Sequence, residues 1–147
     1  KRQGISYFVK VRMITYLQLG KKCDFSCHLM EHQLGAYTDC GHGQGMAVLH
    51  PAYYRHIFRD GLDKFGRFAA NVWMIPREKK SREELAAAGL DALEAFIREL
   101  GLPTSLRQLG VRDKKQLPVI AGSCHFSPGG YRKMMPEEIL EILQECF

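Results

Sequence analysis

Apolar and polar positions along most of this chain follow the 3.6-residue period of a helix. The clearest stretch is SREELAAAGLDALEAFIRELG, where Leu85, Leu90, Leu93, Phe96, Ile97 and Leu100 fall on one stripe of a helix and face a core. Ser81 followed by Glu84 makes a capping box at its start, and Gly101 stops it. Upstream, residues 60–74 carry Leu62, Phe65, Phe68, Ala69, Val72 and Trp73 at the same spacing. Downstream, LPTSLRQLG reads as a short helix capped by Thr104 and ended by Gly110. DKKQLPVIAGSC predicts another from Asp113, with Pro118 in its first turns. MPEEILEILQECF predicts a terminal amphipathic helix with Pro136 at its first position and Ile139, Leu140, Ile142 and Leu143 inward. Nothing between residues 23 and 147 alternates with the period of two that marks an exposed strand. The pattern predicts one all-α unit over residues 23–147. Residues 1–22 differ: ISYFVKVRMITYLQL is β-branched and aromatic and fits strand or helix equally.

Charge sharpens that division. Residues 1–22 hold Lys1, Arg2, Lys10, Arg12, Lys21 and Lys22 and no acid, whereas the rest of the chain has 15 basic and 16 acidic residues. The overall +5 is therefore a property of one terminal segment. A nucleic-acid binder spreads basic residues over a folded face among aromatics, so nucleic-acid binding stays a lesser alternative. No apolar run reaches the ~18 residues of a membrane span, and Lys10 and Arg12 break the only patch that resembles a secretory leader. The five cysteines are odd in number and their spacing suggests no disulfide framework, which points to a reduced, cytoplasmic setting. At 147 residues the chain can bury a real core.

The chemistry concentrates in CHLMEHQLGAYTDCGHGQG, residues 27–45, which holds His28, His32 and His42. His28 and His32 stand one helical turn apart on one face. A straight helix would carry His42 roughly 21 Å beyond His28, too far for one metal ion to be shared. Gly35, Thr38, Asp39, Gly41 and Gly43 are turn and helix-end residues, so a helix ending near Tyr37 and folding back would bring His42 to His28. The three histidines are then a candidate metal site. A rival Cys3His cluster of Cys23, Cys27, Cys40 and His42 has the wrong spacing for a zinc knuckle, and small buried cysteines are the simpler reading. His50, His56 and His125 have no partner at a telling spacing and are assigned no site role. GHGQG lacks the spacing and preceding strand of a phosphate loop, and SPGG is a turn.

The pattern H-x3-H-x9-H-G, with LGAYTDCGHGQGMAVLHPAYY around it, resembles the signature of the iron-containing (group III) alcohol dehydrogenases, in their butanol dehydrogenase-like branch. FGRFAANVWMI, AGLDALEAFIRELGLPTSLRQLGV and PGGYRKMMPEEILEIL extend the resemblance over residues 23–147. The resemblance implies the helical C-terminal metal-binding domain of the dehydroquinate synthase-like fold, present incompletely. It implies a parent enzyme that oxidises alcohols or reduces aldehydes with NAD(H) or NADP(H) and a divalent iron or zinc. By the same resemblance His28 and His42 match two metal ligands. His32 matches a histidine that is not a ligand but lies against the nicotinamide and the substrate. A metal-bound carbonyl oxygen would then accept hydride, and His32 would be placed to pass it a proton.

Two further features of that family are absent from these residues. Its other two metal ligands come from an upstream Asp-x3-His, and residues 1–22 contain neither Asp nor His. The glycine-rich dinucleotide turn is missing as well. The chain is therefore expected to be inactive by itself, a C-terminal piece whose uncovered apolar surface favours a homo-oligomer. A helical remnant or interaction module without catalysis is the alternative.

Overall fold

The computed structural model describes residue 20 and residues 22–125, 129–131 and 133–147. The ambiguous segment ISYFVKVRMITYLQL lies outside them. Among the described residues there are six α-helices and no strand: α1 (Ser26–Thr38), α2 (His42–Ile57), α3 (Leu62–Val72), α4 (Arg82–Glu99), α5 (Gln116–Ser123) and α6 (Pro136–Glu145). A 3-10 turn, Phe58–Gly61, joins α2 to α3. The all-α class expected from the periodicity is what forms.

Each helix is set by local chemistry. At the start of α4, Ser81 Oγ accepts from the Glu84 amide at 3.1 Å and Glu84 Oε2 accepts from the Ser81 amide at 2.7 Å. Between α1 and α2 the chain reverses within three residues. Asp39 takes the left-handed conformation, φ 53°, and its amide donates to Gly35 O at 2.8 Å. Thr38 Oγ1 donates to Leu34 O at 2.8 Å, which closes the last turn of α1. Gly41 then opens α2 with its amide on Gln44 Oε1 at 3.3 Å. The fold-back expected around residues 38–43 is thus built from the turn residues that suggested it.

The core joins all six helices. Met30, Leu34, Leu49, Leu90, Leu106, Leu117, Ile120, Ile139, Ile142 and Leu143 are each 2% exposed or less. α3 and α4 pack against each other most extensively, and Gly89 makes this possible: a Cβ there would lie 2.7 Å from Ala69 Cβ. Arg55 on α2 reaches Glu94 and Asp91 on α4, both at 2.6 Å, and His56 meets Glu138 on α6 at 3.1 Å.

Three expectations are corrected. Residues 105–110 form a succession of turns and not the helix expected from Thr104 to Gly110. Gln108 Oε1 accepts from the Thr104 and Ser105 amides, while the Leu106 amide is drawn to Cys146 O at 2.7 Å. α5 begins at Gln116 and not Asp113, because Asp113 Oδ1 accepts from the Lys115 amide in a turn before the helix. Finally, Phe96, Leu100 and Val72 fall on the apolar stripes but are 43%, 55% and 57% exposed. Period locates a stripe; it does not supply the surface that covers it.

Candidate metal centre

The reversal between α1 and α2 gathers the three histidines. His28 and His32 project from successive turns of α1, and His42 is the first residue of α2. Ring centres stand 4.8 Å apart for His28 and His42, and 5.8 Å from His32 to each of the others. Two imidazoles on one tetrahedral ion, each nitrogen ~2.0–2.1 Å from it, have ring centres about 5 Å apart. The His28–His42 pair is the tightest of the three and near that spacing, and His32 stands somewhat wider from each. His32 and His42 are exposed, and His28 is half-buried.

Glu31 is the residue that sequence reasoning missed. It is 2% exposed, and its carboxylate is hydrogen-bonded directly to His42 Nδ1. Glu31, His32 and His42 also offer donor atoms all within 4.8 Å of one another. The structure thus offers two overlapping donor sets, the His28–His42 pair and Glu31 with His32 and His42. The signal was present: Glu31 follows His28 by three residues, a spacing that places the two on neighbouring turns of a helix. Among the described residues no cysteine joins the donor cluster, and Cys27 is buried, with burial pushing its thiol well up.

Coordination requires a neutral imidazole, and the surroundings of His28 favour that form. Burial lowers His28 below the ordinary histidine range, and His42 and His32 lower it further. His50, given no role from sequence, lies eight residues after His42 on the same face of α2 and borders the site. Burial first, then His28 and His42, bring it down to about 4, and its ring stacks on Tyr54 at 4.9 Å. His56 serves as a structural partner of Glu138, and His125 is exposed at the end of α5.

A cleft of about 310 Å³ opens beside His28 and His50, walled by Tyr53, Tyr54, Phe65 and Tyr131. At its rim Tyr53 donates to Asp24, whose other oxygen accepts from the Ser26 amide at 2.9 Å. Burial and the Asp24 bond hold Tyr53 as the phenol.

The fold and the cluster together define a helical domain with imidazole donors gathered at a helix reversal. The chain matches the Fe-containing alcohol dehydrogenase family, C-terminal, over residues 7–147, and it belongs to that family. NADH-dependent butanol dehydrogenase A of Clostridium acetobutylicum is 35% identical over 136 residues, 89% of this chain and 34% of that protein. Lactaldehyde reductase of Escherichia coli K12 is 34% identical over 121 residues, 78% of this chain and 30% of that protein. The structure of NADH-dependent butanol dehydrogenase A from Thermotoga maritima superposes with a TM-score of 0.73 at 27% identity, covering 84% of this chain and 33% of that one. The chain spans about a third of the length of the curated relatives it matches. No helix among the described residues is long and apolar enough to cross a membrane.

Proposed function

We propose that these residues form the metal-holding half of the catalytic centre of an alcohol dehydrogenase that oxidises alcohols or reduces aldehydes with NAD(H) or NADP(H). His28 and His42 are the donors to a divalent iron or zinc, and His32 borders substrate and nicotinamide. The observation that carries this reading is the His28–His42 pair, 4.8 Å between ring centres across a reversal built for it. Bound there, a divalent ion supplies Lewis acidity to the substrate oxygen. The chain's own residues hold and orient. His28 and His42 offer imidazole lone pairs. His32, exposed one turn from His28, holds a proton on a ring nitrogen within reach of the substrate side. The aromatic wall of Tyr53, Tyr54 and Phe65 keeps water from the apolar tail of an alcohol.

Two imidazoles are too few for a tight site, and the cofactor's own domain is not among these residues, so the 147-residue chain by itself reduces no aldehyde. Calorimetric titration with Zn2+ and Fe2+ tests the donor assignment. One-to-one binding that is lost in both His28→Ala and His42→Ala supports it; binding that survives either substitution overturns it. NADH-dependent reduction of butanal by the purified chain, abolished in His42→Ala, would overturn the expected inactivity.

A further inference from the structure

We infer that Glu31 is a positioning residue that locks the His42 ring with its proton on Nδ1, leaving Nε2 as the free donor atom. The inference rests on the reading of His42 as a metal donor and goes one step behind it. Glu31 is 2% exposed, and among the described residues no Lys or Arg pairs with it; its hydrogen-bond partner there is His42 Nδ1. Glu31 engages the Nδ1 edge of the ring, and a carboxylate that acts there as acceptor places the hydrogen on that nitrogen. That choice fixes the tautomer and aims the other nitrogen away from the protein interior.

The backbone around the pair is shaped to keep it. Gly45, one turn into α2 from His42, approaches the Glu31 side chain so closely that a Cβ would lie 2.8 Å from both its Cγ and its Oε1. Gly35, one turn along α1, leaves room on another side, its notional Cβ 3.7 Å from Oε1. The side chain thus runs between two glycines in the helix pair that forms the reversal. A buried acid of this kind is costly unless it is hydrogen-bonded, and here the bond it makes reaches into the histidine cluster. A carboxylate behind a ligating imidazole also makes the ring a stronger donor, and removing such a partner typically weakens metal binding 10–100-fold.

The experiment uses the full 147-residue chain, its Glu31→Met and Glu31→Gln variants, and two readouts. Met fills the volume without an acceptor, whereas Gln keeps an acceptor oxygen without the charge. Nitrogen-15 shifts of the His42 ring in the metal-free chain report which nitrogen holds the proton, and Zn2+ titration reports affinity. The expected result is an Nδ1–H tautomer in the starting chain, retained in Glu31→Gln and mixed in Glu31→Met. Zinc affinity should fall about 10–100-fold in Glu31→Met and less in Glu31→Gln. An Nε2–H tautomer in the starting chain overturns the inference, as does a Glu31→Met variant with unchanged tautomer and affinity. If the tautomer behaves as expected but the starting chain takes no zinc, the positioning role stands and the reading of His28 and His42 as sufficient donors within this chain fails.

Discussion

Gly43 and Gly45 sit two residues apart in the first turn of α2, and the same substitution at each should have opposite consequences. A Cβ at Gly43 meets nothing within 4 Å, while one at Gly45 meets Glu31 Cγ and Oε1 at 2.8 Å and Cys40 Sγ at 3.3 Å. Ordinary contact begins at 3.4 Å, so Gly45→Ala requires Glu31 to move by about 0.6 Å. The clash includes Cγ, which is not the free end of the side chain, and Glu31 is buried. Overpacking of this size costs about 1–3 kcal/mol. Relief of glycine's backbone entropy returns up to about 1 kcal/mol. Gly45→Ala should therefore lose about 1–2 kcal/mol net and also loosen the Glu31–His42 bond, whereas Gly43→Ala should be neutral or gain a few tenths. Urea unfolding followed by helical circular dichroism measures the first effect, and the His42 nitrogen-15 shifts measure the second. Equal stabilities for the two variants, or an unchanged His42 tautomer in Gly45→Ala, would refute the packing argument.

Gly89→Ala, whose Cβ would stand 2.7 Å from Ala69 Cβ and 3.0 Å from Ala69 Cα, should destabilise by about 2–3 kcal/mol, because α3 must shift bodily; a urea midpoint that rises would contradict this. Asp39 holds φ 53° at the reversal, so Asp39→Val should cost about 1–2 kcal/mol and Asp39→Gly little or nothing, as thermal unfolding will show. His50 is held neutral with a folded pKa of about 4 against 6.5 unfolded, so the unfolded chain binds the extra proton between those values. Its contribution is complete above pH 6.5 and is lost as pH falls toward 4, about 3 kcal/mol in all, and His50→Gln should flatten the stability profile in that window.

The helices and the reversal were legible because each rests on local chemistry. The Ser81–Glu84 box, Pro136 at the head of α6 and the Thr38–Gly43 turn residues act within a few positions of themselves. The convergence of His28, His32 and His42 was legible for the same reason: spacing on one helix, followed by a turn. What escaped depends on partners far along the chain. Residues 105–110 turn because Leu106 answers to Cys146, forty residues on. Glu31 looks like a solvent-facing acid beside Met30 until α2 folds over it. Phe96 and Leu100 are exposed although they lie on the stripe, because burial depends on which helices pack against α4 and not on period.

Glu31 also bears on what the cluster lacks. Glu31 is buried against the histidine cluster, and among the described residues no lysine or arginine pairs with it. With Glu31 bonded to the near nitrogen of His42, a divalent cation on the far nitrogen and Glu31 should support each other through the ring. The same chain, however, carries five cysteines and six histidines, which offer zinc a home in the unfolded state as well. Stabilisation by metal follows the difference between folded and unfolded binding, and two folded donors compete poorly against that pool. A small rise in melting temperature with zinc would therefore say little about the site. Loss of one-to-one binding in His28→Ala, with the His42 tautomer intact, isolates the folded donors from that background.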